Sequence, residues 1–510
     1  MAANWRYTLR VTLCVALGGF LMGFDASVIS GVVGFIQPQF DLSSIEVGWA
    51  VASLALTSTL AMSLAGPLSD RFGRRPILIG AAIVFLVSAL GSALAPDYIT
   101  LVLARMLGGF GVGAALIIAP MYIAEIAPPA NRGRMVSLNQ LNIVLGISVA
   151  FFSNYMILQW LGADNPEVWR WMLGVEALPA LVYLVCLAFV PESPRWLMMH
   201  DRAAEALVVM TRATDAATAK IDMAAINASL APAGDSPQPT LKALMQPSLR
   251  LVLMIGATVA ILQQITGINA VFFYAPMIFE QSGIGTDAAF LQAVLVGLVN
   301  LVFTLVAIYL IDRLGRRPLL LGGVSGIAVF MFLIAYGFSQ ATYTVTSDAI
   351  EQLPDGVNKT ALYTLVDQRF DSDTGLKQAL QAVPSLDAQA VEAALLKTTI
   401  NINPNLILVG ILGFVASFAV SVGPVMWVLF SELFPNHIRG VAISLVGLLN
   451  SGVSFMVQLI FPWELATLGS AMTFALYGIF ALLGLIMVWR LLPETKGRSL
   501  EELETLLVRA

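Results

Sequence analysis

The chain has 510 residues, of which 58% are hydrophobic and only 12% are charged, and its mean hydropathy is +0.83. Soluble domains contain roughly 45–50% apolar and about 25% charged residues, so this composition excludes a soluble globular enzyme. The net charge of −5 offers no basic surface for nucleic acid.

Twelve apolar runs, each long enough to cross a bilayer, follow one another along the chain. We therefore predict an all-α membrane protein with twelve transmembrane helices. Cys14 and Cys186 both fall inside apolar runs, which indicates buried packing residues rather than a disulfide or a metal pair. The predicted spans cover residues 11–35, 47–67, 76–95, 98–124, 135–159, 171–191, 251–278, 289–311, 318–339, 404–430, 441–463 and 468–489.

Positive charge predicts the orientation of the chain. With the N-terminus in the cytoplasm, 21 of the 27 Lys and Arg residues fall in cytoplasmic segments, and only Arg105 lies within a span. This excess of positive charge on the inside is typical of membrane proteins. We expect a multi-pass protein of the plasma membrane, specifically a bacterial inner membrane, with both termini in the cytoplasm.

Three short charged motifs occur twice. DRFGRR at residues 70–75 recurs as DRLGRR at residues 312–317, an offset of 242, whereas the two later motifs recur at offsets of 307 and 302. The second half therefore contains an insertion, for which residues 340–403 are the one sufficiently long polar stretch. The repeated charged residues are Asp70, Arg74, Arg75, Glu125, Arg132 and Glu192, and then Asp312, Arg316, Arg317, Glu432, Arg439 and Glu494.

The repeat predicts two pseudo-symmetric six-helix bundles. Residues 1–191 form the first and residues 251–510 the second, joined by a cytoplasmic linker with helices at 192–250. Transporters built in this way hold their substrate near the midplane of the membrane. The alternative is a duplicated scaffold without transport, but polar groups kept inside lipid require a functional reason.

The repeated charges lie at the predicted cytoplasmic ends of the spans. Arginines beside an aspartate, with Gly73 permitting a tight turn, suit a cluster that latches helix ends and opens when the halves rock. A bias of positive charge towards the inside would also place arginines here. Two copies at matching positions favour the gating interpretation.

Only three ionisable acids or bases lie within the predicted spans, namely Asp25, Arg105 and Glu176. At about 1.5 Å of rise per residue, Arg105 and Glu176 lie about 10 Å deep and Asp25 about 15 Å deep, so they can share a layer. One arginine facing two carboxylates leaves one negative charge uncompensated, and the coupled acids can take up one proton. We predict a proton-coupling site; the alternative is a static salt bridge that fixes helix packing.

Seven motifs, one of which occurs twice, together resemble the sugar porter family of the major facilitator superfamily. They are GFDASVISG at 23–31, the two DRxGRR loops, PMYIAEIAPPANRGRMVSLNQL at 120–141, PESPRWL at 191–197, QQITGINAVFFYAP at 263–276, GPVMWVLFSELFP at 423–435 and PETKGRSLEE at 493–502. The resemblance implies the major facilitator fold, alternating access and a central sugar site. It also implies that Asp25 is the proton site, with Arg105 and Glu176 as its partners.

The same resemblance implies a set of sugar ligands. Side-chain amides match the donor and acceptor character of sugar hydroxyls without a charge to desolvate, and an indole can cover the apolar face of a sugar ring. Each amide alone could equally form a helix-to-helix hydrogen bond. The implied ligands are Gln140, Gln263, Gln264, Asn269, Asn300, Trp427 and Asn450.

One geometric condition accompanies this assignment. On an unbroken helix Gln263, Gln264 and Asn269 do not share a face. We therefore expect span 7 to unwind, which Gly267 and Pro276 permit. Phe273 and Ser451 stand where sugar-binding relatives often carry Tyr and Trp, so the sugar or polyol that binds stays open.

Residues 340–403 contain eight acidic and four basic residues, and residues 385–396 read as a capped amphipathic helix. We expect a small, mostly helical extracellular cap. The complete interpretation is a proton-coupled symporter that imports a neutral monosaccharide or a polyol, functions as a monomer in the lipid bilayer and uses no cofactor or metal. A facilitative sugar or inositol uniporter and a transport-inactive sugar receptor are the alternatives.

Overall fold

The computed structural model describes residues 5–128, 131–230, 246–351, 353, 358–383, 386, 388–435, 438–496 and 502. Within these residues, twelve segments are helical, long and apolar enough to cross a membrane, which confirms the predicted number of spans. We number them spans 1 to 12 in chain order: Arg6–Gly31, Ser44–Phe72, Arg74–Ala93, Tyr98–Ile126, Gly133–Leu161, Val168–Ala188, Pro247–Phe273, Thr286–Ile311, Arg316–Ser339, Pro404–Leu433, Arg439–Thr467 and Ser470–Leu491.

Three spans are interrupted by irregular backbone. The helices are Val168–Gly174 and Ala177–Ala188 in span 6, Arg250–Ile265 and Ile268–Phe273 in span 7, and Pro404–Val420 and Val422–Leu433 in span 10. A further helix, Ala275–Glu280, continues span 7. Irregular backbone at membrane depth is tolerated only where protein buries it or where it lines a cavity, so these breaks mark candidate sites.

The break in span 7 confirms the expectation from the sequence, whereas the breaks in spans 6 and 10 were not predicted. The other helices extend a span slightly, form its first turn or lie outside the spans. They are Trp5–Val28 with the 3-10 turn Ile29–Gly31, Val33–Gln39, Arg132–Leu161, Pro194–Met199, Ala203–Ala213, Ala216–Leu230, the 3-10 turn Pro247–Leu249, and Thr286–Leu314.

Contacts divide the chain into two compact units. The first unit takes Met1–Ile29, Ser53–Ser153 and Trp169–Gln238, and the second takes Ser30–Ala52, Asn154–Val168 and Pro239–Ala510. In the first unit, spans 1, 3, 4 and 6 pack around a shared apolar core. In the second unit, span 9 packs on spans 10 and 12, and span 7 packs on spans 11 and 12. The bundles at 1–191 and 251–510 remain a prediction.

The insertion at 340–403 is a small folded body in the second unit. Its antiparallel sheet has the order β2-β1-β3, where β1 is Thr342–Thr344, β2 is Arg369–Phe370 and β3 is Ile400–Asn401. The chain is all-α in its membrane-spanning part, as predicted, and this small sheet was not predicted, because strands of two or three residues carry no alternating pattern that a sequence reveals. The helices are Ser347–Glu351, Lys359–Leu362, the 3-10 turn Tyr363–Leu365, Asp373–Gln381 and Ala388–Thr399.

Hydrophobic side chains give the insertion its own core, to which Tyr343, Leu376, Leu380 and Val391 contribute. The predicted helix at 385–396 corresponds to Ala388–Thr399, and residues 384, 385 and 387 lie outside the described residues.

The helix Asp373–Gln381 attaches the insertion to the turn between spans 11 and 12. The Ser470 backbone N–H donates to Asp373 Oδ2 at 3.1 Å, and Lys377 Nζ donates to the Leu465 and Ala466 carbonyls at 3.4 and 3.2 Å. A carboxylate thus meets the N-terminus of one helix, and an ammonium meets the C-terminus of the other. Both contacts complement the helix dipoles and satisfy terminal backbone groups.

We expect Asp373→Ala to lower the stability of the second unit. The substitution removes the acceptor of the Ser470 N–H, and loss of such a cap costs about 1 kcal/mol. Thermal melting of the purified protein in detergent should show a lower midpoint. Asp371→Ala is the matched control, because Asp371 is 90% exposed and pairs only weakly with Arg369. Equal melting of both variants would contradict the capping function.

Candidate functional site

The buried charges of the first unit meet in one place, as the sequence predicted. Asp25 in span 1 faces Arg105 in span 4, with 3.4 Å between Oδ1 and Nη1, and both side chains are at least 97% buried. Glu176 is also buried, and its electrostatic partners are Asp25 and Arg105. Glu176 lies in the interruption of span 6, where the backbone turns between two helices. The break therefore gives the carboxylate its place beside the ion pair.

Two carboxylate oxygens of this cluster form no hydrogen bond with the described residues. Among the residues that the structure describes, Asp25 Oδ2 and Glu176 Oε1 are buried without a hydrogen-bond partner. An ionised carboxylate only accepts hydrogen bonds, whereas a protonated one also donates. One guanidinium can neutralise one of the two acids, so a single proton on the other makes the cluster neutral. The arrangement can hold one exchangeable proton.

Uncharged amides form a continuous hydrogen-bonded network in the second unit. Gln264 Nε2 donates to Asn450 Oδ1 at 3.1 Å and to Gln263 Oε1 at 3.2 Å, and Gln264 Oε1 accepts from Asn269 Nδ2 at 2.8 Å. Asn450 Nδ2 donates to Gln263 Oε1 at 2.8 Å. Four of the seven implied sugar ligands are therefore brought together by spans 7 and 11.

The helix breaks of spans 7 and 10 both contribute to this network. Gly267 has a φ of +85°, a conformation that suits glycine, and the chain resumes as a helix at Ile268. The irregular turn brings Asn269 back to Gln264, five residues earlier. At the break of span 10, the carbonyls of Val422 and Gly423 accept from Gln263 Nε2 at 3.5 and 3.4 Å.

Two further polar residues, which were not among the predicted ligands, extend the network. Asn269 Nδ2 also donates to Ser454 Oγ at 2.7 Å, and Gln458 Nε2 donates to the same oxygen at 2.8 Å. Ser454 and Gln458 follow Asn450 at intervals of four residues, so they share one face of span 11. That spacing was a usable signal.

Three implied ligands do not join the network among the described residues. Asn300 is buried in span 8 of the same unit, and Trp427 in span 10 is 48% exposed and packs edge-on against Phe430. Gln140 lies on an exposed face of span 5 in the first unit.

A charge cluster lies where span 2 meets span 3. Arg74 is bidentate to Glu125, with both N–O distances at 3.1 Å, and its Nη1 lies 2.9 Å from Asp70. Ser193 also donates to Glu125. Arg75 donates to the carbonyls of residues 187 and 188, which end span 6. The predicted charge cluster thus joins spans 2, 3, 4 and 6 within the first unit.

The second unit repeats this cluster. Arg316 Nη2 lies 2.8 Å from Glu432 Oε1, and Thr495 donates to the other oxygen of Glu432 at 2.7 Å. Arg317 donates to the Trp489 carbonyl at 2.9 Å. Arg439 Nε donates to the carbonyl of residue 434 at 3.1 Å. The side chains of Arg132 and Asp312 lie outside the described residues.

Glu192 and Glu494 bind backbone N–H groups. Glu192 accepts from the N–H groups of residues 74 and 75 at 3.1 and 3.2 Å, and Glu494 accepts from those of residues 316 and 317 at 3.0 and 3.1 Å. Each carboxylate thus caps the positive end of a helix. The preceding Gly73 and Gly315 have φ values of +105° and +97°.

The two capping carboxylates differ in burial and in pKa. Burial raises the pKa of Glu192 above its usual value. The hydrogen bonds that Glu192 accepts from N–H groups lower its pKa, but by less than burial raises it. Burial would also raise the pKa of Glu494, but the N–H groups that it accepts from outweigh this effect and lower its pKa. The carboxylate of Glu192, in the first unit, is therefore more shielded from water than that of Glu494, in the second unit.

We expect Glu125→Gln to destabilise the protein more than Glu432→Gln. Arg74 and Glu125 are 4% and 9% exposed, whereas Arg316 and Glu432 are 12% and 22% exposed. Breaking a buried ion pair costs about 3–5 kcal/mol at most. Water reduces that cost where it reaches the charges, and so does the Asp70 carboxylate that stays 2.9 Å from Arg74, but the Arg74–Glu125 pair is the drier of the two pairs. Thermal melting in detergent measures the difference. A larger loss for Glu432→Gln would contradict this ranking.

The proteins to which this chain is similar are sugar transporters, which agrees with a buried charge cluster and a separate network of uncharged amides. Residues 11–352 and 388–507 match the family described as "Sugar (and other) transporter". The chain is 34% identical to the arabinose-proton symporter of Bacillus subtilis and to the D-xylose-proton symporter of Escherichia coli, over 99% of this chain and 96% of each relative. An inward-open structure of the xylose transporter XylE from E. coli superimposes with a TM-score of 0.74 at 32% identity, covering 98% of this chain and all of that one. The chain belongs to the sugar transporter family, whose members are membrane transporters and not enzymes.

Proposed function

We propose that the protein is a proton-coupled symporter that imports a neutral monosaccharide or polyol by alternating access. The observation that carries the proposal is the buried cluster of Asp25, Arg105 and Glu176. The relatives named as arabinose-proton and xylose-proton symporters support proton coupling. The protein thus combines one exchangeable proton with a separate uncharged network that suits a sugar.

The amide network supports a polyhydroxylated, uncharged substrate. Its amides bond mainly to one another and to backbone carbonyls, so a sugar must supply hydroxyls that replace those bonds. A charged substrate would find no counter-ion among these residues. We propose that Gln263, Gln264, Asn269 and Asn450 bind the sugar, and that Gln140, Asn300 and Trp427 complete the site.

A transport cycle follows from the two sites. Protonation of Asp25 from outside makes the cluster of Asp25, Arg105 and Glu176 neutral. The carrier then moves its bound sugar inward. Release of the proton inside restores the pairing of Asp25 with Arg105. Because a neutral cluster and a charged one favour different conformations, the proton gradient drives the sugar.

The repeated clusters suit a gate on the cytoplasmic side. The members are Asp70, Arg74, Arg75, Glu125, Arg132 and Glu192, with Asp312, Arg316, Arg317, Glu432, Arg439 and Glu494 in the second half. We also propose that the protein works as a monomer in a bacterial inner membrane, with both termini in the cytoplasm and with bundles at 1–191 and 251–510.

Reconstitution into liposomes tests the proposal. A counterflow panel of radiolabelled D-xylose, L-arabinose, D-glucose and myo-inositol identifies a carried substrate. A drop in external pH should then drive that substrate inward against its gradient, and a protonophore should abolish the accumulation. Liposomes without protein provide the background.

A facilitative uniporter is the second candidate, favoured by the direct contact between Asp25 and Arg105. In that case the ion pair is structural and permanent. Sugar would equilibrate across the membrane at the same final level with or without a pH gradient. This result would exclude the symporter.

A further inference from the structure

Tyr477 in span 12 packs directly against the break in span 7. A methyl group placed on Gly267 would lie 2.6 Å from Tyr477 Cδ2 and 2.8 Å from Cε2, so the ring touches the glycine backbone. Tyr477 is only 2% exposed. The ring therefore occupies the space that any side chain at position 267 would need, and it limits how the break can move.

Glu464 fixes this ring through a hydrogen bond. The Tyr477 hydroxyl donates to Glu464 Oε2 at 2.8 Å. Glu464 lies within the helix of span 11, three residues before its end at Thr467, whereas the predicted span stopped at residue 463. An acid in the last turn of a membrane-spanning helix is stabilised by a hydrogen-bond donor, and the phenol supplies one. Span 12 is thus tied to span 11 at the level of the break.

Tyr274 marks a second irregular point of span 7, between the helices Ile268–Phe273 and Ala275–Glu280. Its hydroxyl donates to the Gln458 carbonyl at 2.9 Å, and its ring lies 5.2 Å from Phe461. Phe461 also stacks on Tyr477, with ring centroids 6.3 Å apart. Both irregular points of span 7 therefore pack against one aromatic pair, which consists of Phe461 in span 11 and Tyr477 in span 12.

We propose that Tyr477 is a positioning residue for the sugar site, and that its ring and its tether to Glu464 hold the span 7 break in shape. This inference rests on the proposed function of the amide network. The break brings Asn269 to Gln264, so a shift of the break separates these two amides. Among the described residues Tyr477 forms no hydrogen bond with either amide, so it acts through the backbone at Gly267.

A double-mutant cycle tests the tether. Tyr477→Phe keeps the ring and removes the donor, Glu464→Leu removes the acceptor, and Glu464→Gln keeps an oxygen that can accept. Amide hydrogen exchange of residues 264–274 is measured on the purified protein without any sugar. Affinity for the four sugars of the counterflow panel is measured separately. Tyr336→Phe is the matched control, because Tyr336 is 58% exposed on span 9.

We expect exchange at residues 264–274 to become about five- to tenfold faster in Tyr477→Phe and in Glu464→Leu, as loss of one hydrogen bond predicts. The double variant should be no worse than either single variant, and Glu464→Gln should behave like the wild type. Binding of the carried sugar should weaken in the same variants while the maximal transport rate at saturating sugar is kept.

Three outcomes would overturn the proposal. Unchanged exchange at residues 264–274 would show that the tether does not hold the break. Fully additive effects in the double variant would show that the two residues act independently. Faster exchange spread evenly over both units would indicate general stability instead of positioning. The exchange measurement needs no substrate, so it stands even if none of the four sugars is carried.

Discussion

Asp25→Asn is expected to abolish proton-driven accumulation of sugar while exchange of sugar across the membrane continues. The amide keeps the size of the side chain but cannot take up a proton. Glu176 remains to neutralise Arg105, so the buried charge cluster stays balanced and the fold is kept. The carrier then resembles the permanently neutral form, which moves sugar in both directions but gains nothing from the pH gradient.

Uptake into liposomes with an acidic exterior measures the loss of proton-driven accumulation. Counterflow at equal pH on both sides measures the exchange of sugar that should remain. Asp164→Asn, at an exposed position between spans 5 and 6, is the matched control and should accumulate sugar like the wild type. Retained uphill uptake in Asp25→Asn would show that Asp25 does not carry the proton. Loss of counterflow in a folded variant would assign Asp25 to the sugar pathway instead.

Gln264→Ala is expected to weaken sugar binding by about tenfold or more. Sites that hydrogen-bond substrate hydroxyls lose on the order of 1–3 kcal/mol when one buried partner is removed. Gln264 is the one proposed ligand of the network that bonds to all three of the others, Gln263, Asn269 and Asn450. Its removal therefore takes away one contact with the sugar and releases the amides that provide the others.

Equilibrium binding of the carried sugar to purified protein provides the measurement. Gln378→Ala, on an exposed face of the insertion, should leave the affinity unchanged. Proton uptake by Asp25, Arg105 and Glu176 should also be intact in Gln264→Ala, because these three residues lie in the first unit and Gln264 lies in the second. An unchanged affinity in Gln264→Ala would remove the amide network from the proposed sugar site.

Hydropathy predicted the spans because each crossing of a bilayer needs a long apolar run, and this signal lies within the local sequence. The meeting of Asp25 with Arg105 was predictable for a related reason, since a charge in lipid must find a partner. The bend at Gly267 followed from the positions of three amides that a straight helix would separate.

Other features were missed, although the local sequence carried a signal for two of them. Gly174 ends the first helix of span 6 and Pro179 lies in the first turn of the second, so the break at Glu176 had a local signal that the prediction did not use. Ser421, which ends the first helix of span 10, precedes a Gly-Pro pair that was an available signal. The membership of Glu464 in span 11 depended on one residue at a boundary, which hydropathy does not resolve.

The folded insertion offers a practical means of determining which way the protein faces. The family match skips residues 353–387, yet this segment belongs to a body with its own sheet and hydrophobic core. A short epitope placed at an exposed position there, such as Gln368, should disturb the helices little. Antibody staining of intact spheroplasts, compared with permeabilised ones, would then report the sidedness of the protein independently of any transport measurement.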